Sequence, residues 1–294
     1  MIHRVEHVMG MPVVAVVRDG DDMRVLDELF DWLIWVDATF STFEPESEIS
    51  RIRRGELAVD DAHVEVRGVL ARCERLREET GGYFDARRCS PDGVDPSGLV
   101  KGWAVDRAAA ILDRADLRSF AINAGGDIRA RGHWRIGIQH PLQRQAVAKV
   151  VEGEDLAVAT SGAYARGDHV RDPHTGLASS GILSVTVTGP ELATADAYAT
   201  AAFAMDTQRA LAWTAQLHGY ETLTILADCR VLATPGFPAV EDRGRPVDRP
   251  ALDQAGRVDA VRGAASRVGR RYPEPPDHKR RHTLTPPPRD ASCP

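Results

Sequence analysis

The sequence contains His169-Val170-Arg171-Asp172-Pro173-His174-Thr175-Gly176 and, further along, Ala195-Asp196-Ala197-Tyr198-Ala199-Thr200. The second stretch puts a carboxylate, Asp196, and a hydroxyl, Thr200, four residues apart, so a helix would place both oxygens on one face, one turn apart. Such a pair is the outline of a hard-cation site, although Asp196 could instead merely occupy the first turn of a helix, where negative charge is favoured. The first stretch is rich in groups that can hold a ligand or accept a proton. Together the two stretches indicate magnesium and a phosphate ester.

Two further turns have features of a ligand site. Asp95-Pro96-Ser97-Gly98-Leu99-Val100-Lys101-Gly102 lies directly before a predicted helix. Gly98 would let the backbone approach a ligand closely, and Lys101 adds a full charge to the positive end of the helix, so an anion is expected here. Gly and Lys near a helix start are also common without any ligand. Gly125-Gly126-Asp127 is interpreted as a tight turn between strands, and a functional role for it needs other groups nearby.

The composition divides the chain into two parts. At 294 residues and 43% hydrophobic, the chain is long enough for one large domain with an ordinary core. From Pro235 onward the sequence contains eleven of the 18 prolines and no apolar periodicity. Such a segment cannot bury enough apolar surface to offset the entropy of ordering it. We therefore predict a folded domain over residues 1–235 and a Pro- and Arg-rich disordered tail over residues 236–294.

Charge and cysteine content restrict the class of function. The formal net charge of -6 argues against nucleic-acid binding, and the basic run from Arg262 to Arg281 is interpreted as a solvated segment rather than a site for an acidic partner. The four cysteines show no CxxC spacing, which is typical of a reducing compartment without structural zinc. The N-terminal residues lack the apolar core of a secretory signal, and no stretch approaches the ~18 apolar residues of a membrane span. A soluble cytoplasmic protein without membrane insertion is expected.

Hydrophobic periodicity predicts an α+β fold. Helical spacing is found at Met23–Phe40, from Val64 to the pair Gly81-Gly82, and over residues 101–113, 194–205 and 208–217. Strand patterns are found over residues 13–17, 120–122, 128–130, 134–139, 146–151, 157–160, 183–188 and 222–227. Strands grouped with helices at both ends of the sequence, without a regular βαβ alternation, favour a mixed or antiparallel sheet with flanking helices.

The order of the motifs resembles that of the ApbE family, from Met9 to Met205. The segments that carry the resemblance are Met9-Gly10, Phe40-Ser41-Thr42-Phe43, Ser47-Glu48-Ile49-Ser50-Arg51, Gly82-Tyr83-Phe84-Asp85, Asp95 to Gly102 with Val105-Asp106, Asn123 to Asp127, Thr160-Ser161-Gly162, His169 to Gly176 and Ala195 to Thr200. The most specific are H-x-x-D-P-x-T-G, A-D-A-x-A-T and the Gly-x-x-Lys-Gly turn. The resemblance implies a single ApbE-type (T-fold-like) domain that transfers FMN from FAD to a Ser or Thr hydroxyl of an acceptor flavoprotein and releases AMP.

The resemblance also implies a set of site residues. The substrate FAD would be lined by Met9, Phe43, Tyr83, Phe84, Asp85, Asp95, Lys101 and the backbone near Val170. Mg²⁺ would be held by the Gly98 carbonyl and by the side-chain oxygens of Asp196 and Thr200. We assign His169 as the base that accepts the proton of the attacking hydroxyl, because imidazole titrates near neutral pH, with Asp172 orienting it.

Three departures from the family pattern leave alternatives open. Phe43 stands where the family usually carries tyrosine, and Arg53-Arg54-Gly55 replaces the usual Asn. Only nine residues separate Asp85 from Asp95, far fewer than in many relatives, which could change how a protein substrate docks. One alternative is therefore an FAD-binding or carrier protein, or an FAD pyrophosphatase, that has lost transfer to protein. Another is a scaffold protein that does not bind FAD at all.

Overall fold

The chain is described by a computed structural model over residues 1–87, 93–162, 170–178, 180–240 and 252–253, and over the side chains of all of these except residues 144, 252 and 253. These residues belong to one compact unit, Met1–Asp259. Elements are numbered along the chain as β1 to β12 and α1 to α6.

A large antiparallel sheet forms the centre of the fold. Its strands, in spatial order, are β1 (Ile2–Val8), β2 (Met11–Val17), β3 (Phe120–Ala124), β4 (Asp127–Arg131), β7 (Ala157–Gly162), β8 (Ile182–Gly189), β9 (Glu221–Leu226) and β10 (Val231–Ala233). Every neighbouring pair is antiparallel. The turn between β3 and β4 is Gly125-Gly126, so Asp127 begins β4 at one end of the sheet.

A second, smaller sheet is mixed. It has the order β11 (Ala239–Val240), β6 (Gln143–Glu154), β5 (His133–His140) and β12 (Leu252–Asp253), and β12 runs parallel to β5. Residues 239–240 and 252–253 therefore add strands from beyond residue 235. Residues 241–251 and 254–294, which hold most of the predicted disordered tail, lie outside the described residues, so that tail and the boundary at residue 235 stay predictions.

Six α-helices are present in the described residues. They are α1 (Arg24–Phe40), α2 (Glu48–Arg53), α3 (Val64–Glu79), α4 (Ser97–Arg114), α5 (Leu192–Ala204) and α6 (Thr207–Thr214), and a 3₁₀ turn covers Val59–Asp61. Helix α4 begins four residues before the predicted start at Lys101. The Pro96 carbonyl accepts hydrogen bonds from the Leu99 and Val100 N–H groups, so the helix starts directly after this proline. None of the helices in the described residues is both long and apolar enough to cross a membrane.

Two hydrophobic cores give the fold three layers. Strand β2 is apolar on both faces: Val13, Ala15 and Val17 pack in the core with the helices, whereas Val14 and Val16 pack in a second core with residues of the small sheet such as Trp134. The order of layers is therefore helices, large sheet, small sheet. The predicted α+β class is confirmed, because strands and helices form separate packed layers without βαβ repetition.

Candidate active site at the crossing of α4 and α5

Helices α4 and α5 approach each other closely at Gly102. A Cβ built on Gly102 would lie 2.7 Å from the Leu192 carbonyl oxygen and 2.8 Å from the Ala193 Cα, so a larger residue has no room there. One turn along α4, Asp106 accepts hydrogen bonds from the Leu192 and Ala193 N–H groups at 3.1 and 2.8 Å. Its carboxylate thereby satisfies two otherwise unpaired donors at the start of α5. These contacts set the position of Lys101 on α4 relative to Asp196 on α5.

Lys101 lies between two buried carboxylates. Its Nζ is 2.5 Å from Oδ2 of Asp127 and 3.6 Å from Oδ1 of Asp196. The Asp127 and Asp196 side chains are only 1% and 5% exposed, and that of Lys101 is 23% exposed. The other Asp127 oxygen accepts a hydrogen bond from the Thr160 N–H group at 3.0 Å. Residues from α4, β4, β7 and α5 thus meet at a single charged cluster.

The cluster contains two carboxyl groups and one ammonium group. Burial raises the pKa of Asp196, Lys101 lowers it, and the neighbouring Asp127 raises it further. Within the described part of the chain, Oδ2 of Asp196 is buried and has no hydrogen-bond partner. A buried carboxylate oxygen without a partner destabilises the fold unless a cation or a hydrogen-bond donor contacts it. Two carboxylates that share one ammonium therefore leave a place for a cation.

Gly98 and Thr200 lie beside each other on the two helices. A Cβ on Gly98 would lie 3.1 Å from Cε2 of Phe84 and 3.9 Å from Cγ2 of Thr200. The hydroxyls of Thr200 and Ser161 are 3.4 Å apart. The three residues predicted to bind a metal thus lie on two neighbouring helices, Gly98 in the first turn of α4 and Asp196 and Thr200 in the middle of α5.

No cluster of three or more His, Cys, Asp or Glu suited to a metal ion occurs among the described residues. A magnesium ion here would therefore take most of its ligands from hydroxyl, carbonyl, substrate and water oxygens. That donor set suits Mg²⁺, which usually keeps waters and binds one or two carboxylates together with substrate phosphates. The unpartnered oxygen of Asp196 fits this requirement.

The turn after α3 holds three of the predicted FAD-binding residues. Tyr83, Phe84 and Asp85 are all buried. The Phe84 N–H group donates to the Thr80 hydroxyl at 3.0 Å, and the Asp95 N–H group donates to the Ala86 carbonyl at 2.7 Å. That second bond closes the short segment between Asp85 and Asp95, of which residues 88–92 lie outside the described residues. The Asp95 carboxylate accepts from the Ser97 N–H group at 3.0 Å and so lies at the start of α4.

The polar turn at Asp172 is held by its own carboxylate. Oδ1 of Asp172 accepts from the His174 N–H group at 2.8 Å, and Oδ2 accepts from the Thr175 hydroxyl at 3.0 Å. The His174 ring contacts the Tyr83 ring, with centroids 4.7 Å apart, and its Nε2 lies 3.0 Å from the Gly81 carbonyl oxygen. Val170 packs against the core between the helices and the large sheet. The predicted base, His169, lies outside the described residues, so its relation to Asp172 stays a prediction.

Met9 and Phe43 occupy two other loops. Met9 is in the left-handed backbone region with φ of 54°, and its N–H group donates to Oδ2 of Asp37 at 3.0 Å. Phe43 has 92% of its surface exposed. Its backbone is nevertheless held, because the Phe43 and Glu44 N–H groups both donate to the Ser41 hydroxyl at 3.2 Å.

The comparisons with known proteins identify the family. A profile of the ApbE family matches residues 9–91 and 87–224. This chain belongs to the ApbE family.

Curated relatives of the ApbE family carry the name FAD:protein FMN transferase. The relative from Vibrio cholerae is 35% identical over 40% of this chain and 40% of its own length. The relative from Treponema pallidum is 32% identical over 53% of this chain and 49% of its own length. The chain therefore matches less than half the length of either relative.

Solved ApbE structures have the same fold. The flavin transferase ApbE from Vibrio cholerae superposes with a TM-score of 0.72 at 24% identity, over 81% of this chain and 99% of the other. The ApbE protein from Thermotoga maritima superposes with a TM-score of 0.69 at 21% identity, over 80% of this chain and 97% of the other. The predicted ApbE-type architecture is confirmed.

Proposed function

We propose that this ApbE-family protein is a magnesium-dependent transferase that moves FMN from FAD to a Ser or Thr hydroxyl of an acceptor flavoprotein and releases AMP. The observation that carries the proposal is the cluster of Lys101, Asp127 and Asp196 at the crossing of α4 and α5, where Oδ2 of Asp196 is buried without a hydrogen-bond partner. Curated relatives named FAD:protein FMN transferase support the reaction class.

The beginning of α4 and the middle of α5 supply the groups that a diphosphate requires. The Gly98 carbonyl, the Asp196 carboxylate and the Thr200 hydroxyl would hold Mg²⁺. When bound, that ion supplies charge neutralisation for the non-bridging phosphate oxygens. Lys101 is partly exposed, at 23%, and adds a positive charge at the start of α4. The helix start and the lysine therefore face the same anion.

Several loops would bind the rest of FAD. Met9, Phe43, Tyr83, Phe84, Asp85, Asp95 and the backbone near Val170 are the proposed contacts. Phe43 presents an exposed ring on a hydrogen-bonded loop, which is the arrangement needed to stack on a planar ligand without ordering the loop first. The Phe84 ring lies against Gly98, so the proposed FAD contacts reach the proposed metal site at this residue.

The chemical step is a displacement at phosphorus. The acceptor hydroxyl oxygen forms a bond to the phosphorus of the FMN half, and the bond from that phosphorus to the bridging oxygen breaks, so AMP leaves with that oxygen. His169 would accept the hydroxyl proton. Asp172 would act by shaping the turn that follows His169, because both of its oxygens accept hydrogen bonds from residues of that turn. Most of the rate enhancement would come from positioning and charge stabilisation.

A reducing compartment such as the cytoplasm suits the proposed enzyme. Cys73 and Cys229 are both free thiols.

The test combines FAD hydrolysis with acceptor labelling. The full chain is incubated with FAD and a candidate acceptor, with and without MgCl₂. AMP is measured by chromatography, and the mass of the acceptor is measured by mass spectrometry. We expect AMP release that depends on Mg²⁺ and an acceptor heavier by one FMN. Asp196→Asn should abolish both, whereas Asp228→Asn, at an exposed turn, should change neither. FAD binding without AMP release would favour the carrier alternative, AMP without an adduct would favour the pyrophosphatase, and the absence of FAD binding would overturn the proposal.

A further inference from the structure

The hairpin turn at Met9-Gly10 has an unusual residue at its first position. The turn joins β1 to β2 with two residues, and both have positive φ, 54° for Met9 and 71° for Gly10. A two-residue hairpin turn of this kind favours Asn-Gly or Gly-Gly, because a residue with a bulky side chain is strained there. The left-handed conformation costs a residue such as Met roughly 1–2 kcal/mol. Strain of this kind persists only where the surrounding structure holds it, and it is common at ligand-binding sites.

Asp37 is the residue that holds this turn. It lies in the last turn of α1, and its Oδ2 accepts the Met9 N–H group at 3.0 Å. The contact is partly buried and joins residues that are 28 positions apart in the chain. An N–H group bonded to a carboxylate is about twice as strongly held as one bonded to a neutral acceptor. The orientation of the Met9 side chain therefore depends on a group on α1.

The same residue marks the start of the loop that presents Phe43. The backbone carbonyl of Asp37 accepts the Ser41 N–H group at 3.0 Å, which ends α1. The Ser41 hydroxyl then accepts from Phe43 and Glu44, and its carbonyl accepts from the Ser47 hydroxyl. An unbroken chain of hydrogen bonds thus runs from the Met9 turn through Asp37 to the Phe43 loop.

We infer that Asp37 is a positioning residue of the FAD site, whose carboxylate sets the Met9 side chain at a fixed distance from the loop of Phe43. The inference rests on the proposed function, in which both residues contact FAD. Asp37 itself does not touch the substrate. It acts through Met9.

The experiment measures FAD affinity by the quenching of flavin fluorescence, with folding checked by circular dichroism. Asp37→Ala should weaken FAD binding on the order of tenfold. Asp37→Asn keeps an oxygen acceptor at the same place and should bind FAD within a few fold of the parent chain. Asp31→Ala, which removes an exposed carboxylate from the same helix, is the matched control and should leave the affinity unchanged.

A second pair of variants separates positioning from a general loss of structure. In a Met9→Gly background the turn is no longer strained and the Met9 side chain is gone, so Asp37→Ala should cause little further loss of FAD affinity. An undiminished loss in that background would overturn the inference, because Asp37 would then act through something other than Met9. So would equal losses for Asp37→Asn and Asp37→Ala, or unchanged binding by Asp37→Ala. If the parent chain itself fails to bind FAD, the proposed function is overturned instead.

Discussion

Nζ of Lys101 lies 2.5 Å from Oδ2 of Asp127, and this contact joins the first turns of α4 to the beginning of β4. Asp127 is almost completely buried, whereas Lys101 keeps part of its surface accessible. A buried carboxylate that holds a more exposed ammonium acts as an anchor, because the long lysine side chain otherwise has considerable rotamer freedom. The ion pair therefore directs the charge of Lys101 toward the proposed diphosphate site.

Asp127→Asn should consequently lower the rate of AMP release while leaving the protein folded. The amide keeps the shape and can still accept from the Thr160 N–H group, but it loses the charge that orients Lys101. We expect AMP release to fall about 10- to 100-fold, as is usual when a group that supports a ligand-binding residue is removed. Steady-state kinetics at saturating Mg²⁺ measure this. Asp155→Asn, at an exposed carboxylate that pairs with Arg131, is a control that should leave turnover unchanged. Unchanged turnover in Asp127→Asn would exclude the anchoring role.

The strained turn at Met9 leads to a prediction in which stability and binding change in opposite directions. Met9→Asn introduces the residue that the two-residue turn prefers, so the variant should be more stable by about 1 kcal/mol. For a folded unit of this size the melting temperature should rise by roughly 2–4 °C. FAD binding should weaken, because the side chain proposed to contact the substrate is lost. Calorimetry and flavin fluorescence on the same samples test both changes, and a less stable variant would show that the packing of Met9 against the core outweighs the strain of the turn.

The site is only partly predictable from the sequence, and the reason is the distance between interacting residues along the chain. Asp196 with Thr200, and Gly98 with Lys101, are each separated by three or four residues, so helical geometry alone places them together. Asp127 reads as an ordinary turn residue, because its partner Lys101 comes from a different layer of the fold. Asp37 likewise resembles a solvated acidic residue on an amphipathic helix, and only the tertiary contact with Met9 distinguishes it.

The secondary structure is likewise only partly predictable from the sequence. The periodicity of α1 and α3 and the apolar run of β2 predict these elements because each depends on its own residues. Strand β1 escapes prediction, because its half-buried face includes the charged residues Arg4 and Glu6 while the apolar Val5 is exposed. The short strands β10 to β12 have two or three residues each, and they form only because a longer strand is already in place beside them.

The close contact of α4 and α5 at Gly102 predicts that a larger residue there destabilises the protein, and Gly68 on α3 offers a matched control. Gly102→Ala places a methyl group 2.7 Å from the Leu192 carbonyl oxygen, so α4 and α5 must separate, at a cost of about 1–3 kcal/mol. Gly68→Ala, in α3, places the methyl group in open space and should stabilise the protein by about 0.5–1 kcal/mol. Chemical denaturation gives both values. Because Gly102 lies between Lys101 and Asp106, Gly102→Ala should also weaken the proposed magnesium-dependent cleavage of FAD, whereas Gly68→Ala should not.

Asp106 makes the stability of the fold depend on pH. Burial raises its pKa to about 6 from the ordinary value of 3.8, against the lowering effect of its hydrogen bonds to the Ala193 and Leu192 N–H groups. The folded protein therefore binds a proton at Asp106 more readily than the unfolded chain does. Its contribution to stability is fully present below about pH 4 and is lost as the pH rises through about 6. Asp106→Asn lacks this titration. The unfolding free energy of the parent protein should therefore decrease relative to that of the variant as the pH rises from about 4 through about 6. Denaturant titrations of both proteins at pH 4, 5, 6 and 7 measure the difference, and a difference that stays constant over the series would show that the Asp106 carboxyl does not titrate with a raised pKa.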